Sequence, residues 1–196
     1  MKLSIIIPTI TGREDSLAAM VAAYRERTPG EFEILTPKDY PCWPAGCNAG
    51  RRHALGDVLH FGSDDLEPIE GWAEPMFACL AEGFIPAPQV WDHVHQGPPV
   101  NQDADGLPGS ITTFTRVPAL THAMSKEIGD WPEIPYFADN WVSDKGRLCG
   151  YQTRMTEGYG FVHHWSQVGR LDEGNWWDRN LPLYNAERAK LGLGPI

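Results

Sequence analysis

Two adjacent carboxylates, Asp64 and Asp65, stand just beyond the apolar run Val58–Phe61 and the turn Gly62-Ser63. Side by side they repel, and a shared cation of the hard, oxygen-seeking kind would relieve that repulsion. Capping of the following turn accounts for one of them equally well. A second pattern follows the first apolar run. Pro8-Thr9-Ile10-Thr11-Gly12-Arg13 leads directly into a helix start, where free N–H groups and the positive dipole end suit an anion such as a nucleotide phosphate. The turn is neither a P-loop nor a Gly-x-Gly-x-x-Gly dinucleotide fingerprint. Further along, His163 and His164 are adjacent; on a strand they face opposite ways, so at most one reaches any given site. His93 and His95 have no third ligand at a recognisable spacing, and Cys42, Cys47, Cys79 and Cys149 form no Cys-x-x-Cys pair. A zinc site is therefore not expected, and the cysteines read as reduced thiols.

The elements that must position these residues alternate. Leu3–Ile7 is a short apolar, β-branched run of the kind found in buried parallel strands, and Phe32–Leu35 and Val58–Phe61 read as the second and third strands. Between them, Thr11 to Glu14 has the form of a capping box, and Leu17, Met20, Val21 and Tyr24 make one helical stripe. A second helix is expected from about Pro44 to Leu55, closed by Gly56, and a third from about Ile69 to Glu82. Phe84–Val90 reads as a proline-interrupted edge strand, His93–Gly109 as a long loop, and Ile111–Thr115 as a strand. Val117-Pro118 is expected to open a helix, and Phe137–Lys145 to form one stopped by Gly146. A strand at Tyr151–Met155 and a C-terminal helix to about Leu191 complete the reading. Strand, helix and strand in short succession mean βαβ units and a parallel sheet.

Several of these pieces, in this order, resemble the family 2 glycosyltransferases of the GT-A fold. They are Ile5-Ile6-Ile7-Pro8-Thr9 with a following arginine, Asn48-Ala49-Gly50, Ala54 to Leu59, the Asp64-Asp65 pair, Leu66 to Trp72, and the block from Ile128 through Tyr136-Phe137-Ala138-Asp139 to Tyr151. The resemblance spans about positions 3 to 155. It implies an α/β chain of one compact domain with a mostly parallel central sheet flanked by helices. Residues 1–83 would be the nucleotide-sugar half, 84–155 the acceptor half and 156–196 a C-terminal segment. It implies transfer of a sugar from a nucleoside-diphosphate donor to an acceptor hydroxyl, with Mn²⁺ or Mg²⁺ as cofactor. Asp64 matches the metal-holding acid of the family's Asp-x-Asp motif, and Asp65 the extra acid beside it. Gly62 stands where the first, ribose-holding acid would be, so this segment reads Gly62-Ser63-Asp64. Asp139 matches the base of an inverting single displacement; as a plain helix-start acid it would instead complement the dipole. One of His163 and His164 would approach the metal or diphosphate. Pro8, Thr9 and Arg13 match positions lining the base and diphosphate, with Asp39 as the nearest substitute for the acid that contacts the base. Asn48 and Arg51 lie on the next helix, where an arginine could meet phosphate or simply face water.

Composition bounds the partners. In 196 residues, 16 Lys and Arg against 26 Asp and Glu give a net charge of −10, which disfavours duplex DNA and anionic lipid as ligands. Twenty glycines and 17 prolines disfavour helical bundles. Met1 to Pro8 is too short an apolar start for a signal peptide, and no stretch approaches a membrane span, so a soluble cytoplasmic protein is expected; the chain is short for the resembled fold, which suggests a compact enzyme or a homo-oligomer. Trp165, Trp176 and Trp177 could stack on a sugar acceptor or belong to the core. Two other functions stay in view: a decayed nucleotide-sugar binding module, kept alive by Gly62, and a sugar-nucleotide pyrophosphorylase, whose glycine-rich signature is missing. The acceptor and the nucleobase are not legible.

Overall fold

The structure, a computed structural model, describes residues 1–92, 111–112, 115–164 and 176–196. His93, His95, the loop expected over His93–Gly109 and Trp165 lie outside the described residues, as do the side chains of Trp176 and Trp177. The first three expected strands form as β1 (Leu3–Ile6), β2 (Phe32–Leu35) and β3 (Val58–Phe61). β1 sits between the other two and pairs parallel with both, Ile5 opposite Ile34 on one side and His60 on the other. Every residue of β1 and β3 is buried, which is why their sequences are apolar runs rather than alternations.

Helix α1 (Glu14–Arg27) follows β1, but not from the expected cap. Gly12, at φ 92, turns the chain so that the Glu14 carboxylate accepts from the Gly12 N–H. Thr11 is held instead by Asp39. Helix α2 (Trp43–His53) crosses β1 with its small residues inward. A Cβ on Gly46 would lie 2.7 Å from Pro8, and one on Gly50 2.4 Å from Ile6, so only glycine permits this approach.

Residues Leu66–Pro68 form a short strand, β4, and the helix expected from Ile69 starts later, as α3 (Ala73–Ala81). The prolines of β5 (Ile85–Asp92) are accommodated at the edge of a second sheet. That sheet has the order β4-β8-β5, with β6 (Ile111–Thr112) also on β8 (Thr153–His163). The strand expected at Tyr151–Met155 thus continues to His163. The helix expected at Val117-Pro118 is not there. This segment runs into β7 (Ala119–Thr121), antiparallel to β3, and helix α4 (His122–Ile128) waits for a real cap, the Thr121 hydroxyl accepting from Met124 N–H.

Helix α5 (Ala138–Leu148) runs through Gly146, whose missing Cβ makes room for Ile85. The chain turns instead at Gly150, φ 92. Helix α6 (Trp176–Lys190) packs on α5 through Tyr184, stacked on Phe137 at 5.1 Å. Tyr184 and Arg188 converge on the buried Asp144 carboxylate. Among the described residues no helix is long and apolar enough to cross a membrane.

Candidate active site

In open sheets, ligands gather beyond the carboxyl ends of the strands. Here the ends of β1 and β3 deliver Pro8-Thr9 and Ser63-Asp64-Asp65 to one place, and the turn that enters α1 brings Arg13 against both acids. The Thr9 hydroxyl donates to Asp64 Oδ2 at 2.6 Å. Arg13 Nη2 lies 2.9 Å from Asp64 Oδ1 and 3.3 Å from Asp65 Oδ2, bridging both acids. Ser63 Oγ donates to Asp65 Oδ1 at 2.6 Å, and His163 Nε2 lies 3.7 Å from Asp65 Oδ2.

These contacts split the pair. Burial pushes the Asp64 carboxyl above the usual carboxylate range, only partly opposed by Thr9 and Arg13. Burial also acts against ionised Asp65, yet the hydrogen bonds from His163 and Ser63 and the charges of His163 and Arg13 outweigh it, holding that carboxyl below the range.

Two cavities meet here. One of about 200 Å³ is lined by Pro8, Thr9, Arg13, Tyr40, Trp43 and Asp64. Its neighbour, about 450 Å³, is lined by Asp65, His163, Arg116, Tyr136 and Asp139. Cys42, Trp43 and Ser63 form the shared wall. Asp139 and Asp65 therefore face a common space, with Asp64 next door.

The other expected residues are distributed differently. His164 pairs with Glu67 at 2.6 Å and lines neither cavity, so the alternation of β8 gives the cleft His163 alone. Asn48 is a structural clamp: its amide donates to the Trp131 carbonyl at 2.8 Å and accepts from the Trp131 N–H at 2.9 Å, and it lines neither cavity. Arg51 also moves away from the cleft. It bonds the Ser125 carbonyl and pairs with Asp130, beside a separate cavity with Arg52 and Lys126. Asp39, at φ 60, ties the loop after β2 to Thr11 at the rim of the smaller cavity.

Trp43, Tyr40, Arg116 and Phe137 line the cleft without having been anticipated. Arg116 (φ 53) and Phe137 (φ 68) are held in left-handed backbone conformations on its walls, a strain that concentrates at functional sites and leaves no trace in sequence. For Trp43 a signal existed: an aromatic at the start of a helix that follows a strand's carboxyl end.

Among the described residues no group of three or more His, Cys, Asp or Glu is arranged so that it could hold a metal ion. Asp65 and His163, with Asp64 beside them, nevertheless provide the carboxylate and imidazole donors that Mn²⁺ accepts. So small a protein set fits a cation that completes its shell with substrate phosphate oxygens and water.

The fold is that of the GT-A glycosyltransferases. S. aureus TarS 1-349 in complex with UDP-GlcNAc superposes with a TM-score of 0.70 at 14% identity over 95% of this chain and 66% of that one. GalNAc-T7 with UDP, GalNAc and Mn²⁺ gives 0.69 at 13% over 96% and 48%. The mannosyltransferase PcManGT from Pyrobaculum calidifontis, with GDP-Man and Mn²⁺, gives 0.61 at 11% over 85% and 58%. The chain thus spans about half to two thirds of the length of these three proteins. No protein-family model and no curated protein sequence matches it.

Proposed function

We propose that this cleft transfers a sugar from a nucleoside-diphosphate donor to an acceptor hydroxyl. The observation that carries the reading is the junction of two cavities at the ends of β1 and β3, Asp64 and Arg13 on one side, Asp65, His163 and Asp139 on the other. The donor's nucleotide would lie against Pro8, Thr9 and Tyr40, its diphosphate near Arg13. Asp64, Asp65 and His163 would hold a divalent cation, Mn²⁺ or Mg²⁺, which when bound neutralises charge on the leaving diphosphate. An acceptor hydroxyl is too weak an acid to attack unaided. Asp139 takes its proton as the new carbon–oxygen bond forms at the anomeric carbon, and the bond to the diphosphate oxygen breaks on the opposite face. The anomeric configuration inverts, and no sugar–enzyme bond forms.

The neighbours in complex with UDP, UDP-GlcNAc or GDP-Man support the donor class and make uridine and guanosine donors the first to try. The test is a screen of UDP- and GDP-sugars with Mn²⁺ or Mg²⁺, following hydrolysis or transfer by NMR. One donor should be turned over with inversion. Asp139→Asn should keep nucleotide binding and lose about 10²–10⁴-fold in rate. Turnover by Asp139→Asn at the wild-type rate, or a retained anomeric configuration, contradicts the base assignment.

A further inference from the structure

Position 62 lies where the resembled family carries an acid, and here it has no room for a side chain. A Cβ on Gly62 would lie 2.8 Å from the Tyr24 hydroxyl and 3.4 Å from His60 Nε2. Neither can retreat. Tyr24 and His60 are fully buried and bonded to each other at 2.8 Å, and the His60 ring stacks on Phe161 at 5.3 Å. The core has grown into the slot, and the Gly62 carbonyl is used by another residue. The Trp43 indole N–H donates to the Gly62 carbonyl at 2.9 Å.

That bond fixes one edge of the indole, and Trp131 packs against it with ring centroids 5.5 Å apart. Held this way, Trp43 lines both the smaller cavity with Asp64 and the larger one with Asp139. A donor whose diphosphate lies at Arg13 in the first cavity and whose anomeric carbon faces Asp139 in the second has its sugar ring at the junction, along the shared wall. Of the three described residues in that wall, Cys42 and Ser63 are small, and Trp43 alone offers a broad apolar face with its polar atom already satisfied. Sugar rings present a face of C–H bonds that packs on such a surface.

We infer that Trp43 is the platform for the transferred sugar: it recognises the glycosyl group of the donor, not its nucleotide. The inference rests on the reading of the cleft as a nucleotide-sugar site, and its test separates the two. Binding of UDP, GDP and the corresponding nucleotide sugars is titrated in Mn²⁺ on wild type, Trp43→Phe and Trp43→Leu, with thermal melts for each variant. Leucine keeps apolar packing on Trp131 without an aromatic face; phenylalanine keeps the face without the N–H. The quantity read is the ratio of nucleotide-sugar to nucleotide affinity, which a loss of folded protein leaves unchanged. Trp43→Leu should lower that ratio at least 10-fold, with nucleotide affinity within 2-fold of wild type, and Trp43→Phe should restore most of it. Equal losses for nucleotide and nucleotide sugar would assign Trp43 to the base or to the scaffold, and an unchanged ratio would remove it from recognition; either overturns the inference while the cleft assignment stands. Absence of any nucleotide binding by wild type overturns both.

Discussion

His60 and Asp64 lie four residues apart on either side of Gly62, and the chain treats their polar groups in opposite ways. His60 is sealed among Tyr24, Trp72, Tyr159 and Phe161. Tyr24 donates to its Nε2; because the Tyr159 hydroxyl donates to the Val117 carbonyl, the Tyr159 oxygen takes the proton of Nδ1. Tyr24, His60 and Tyr159 are all hydrogen-bonded and neutral, and burial drives the His60 pKa down to about 3. Asp64 is nearly as inaccessible, yet it keeps a charged partner, Arg13, and borders a cavity. A closed polar network specifies a core. An acid held in a partly dry place against its preference is what the proposed binding role of Asp64 calls for, and such places are commonly less stable than they could be.

Gly62 is the hinge of that contrast, and changing it should have the largest effect. Gly62→Asp, which writes the missing acid back in, drives a side chain into Tyr24 and a charge toward His60. It should cost about 3 kcal/mol or more, read as a collapse of the denaturation midpoint. Gly62→Ala should cost less, and less again in a Tyr24→Phe background, where the 2.8 Å contact with the hydroxyl is gone; additivity in that double-mutant cycle would show that the clash is elsewhere.

Next in size is the pH response. His60 is depressed from 6.5 to about 3, so between those values the unfolded chain binds a proton that the native one refuses. Stability should be unaffected by this group above about pH 6.5 and fall on acidification at up to about 1.4 kcal/mol per pH unit. His60→Gln should lose some stability at pH 7 and flatten the acid limb; equal slopes in urea melts from pH 7 to 4 would contradict a neutral His60. Smallest is the control outside both regions. Arg51→Ala should cost about 1 kcal/mol through its bonds to Ser125 and Asp130 and leave nucleotide affinity within 2-fold.

The same contrast bears on what could be read from sequence. β1 and β3 were legible because burial writes itself as apolar runs, and the acids at the end of β3 followed from topology. Position along a helix was not. Arg51 lies eight residues beyond Trp43, about 12 Å along the axis at 1.5 Å per residue, so α2 offers its first turn to the cleft and its last to α4. Asn48 failed for a different reason: its partner is the backbone of Trp131, 83 residues away. The alternation of β8 separates His163 from His164, but only the pairing of Leu66 with His163 shows which one meets Asp65. The extent of β8 was hidden by Gly158 and Gly160. Gly160 is there because a Cβ would lie 2.4 Å from Trp91 on the neighbouring strand, a constraint that reads locally as a turn.

The central claim is that Asp64 serves a diphosphate and its cation at the expense of stability. Calorimetric titration of UDP and GDP with and without Mn²⁺, on wild type and Asp64→Asn, tests it most directly. The account predicts Mn²⁺-dependent binding in wild type, at least 10-fold weaker in Asp64→Asn, whose melting temperature is unchanged or higher because burial penalises the charge it removes. Nucleotide binding that is indifferent to both Mn²⁺ and Asp64 would contradict it.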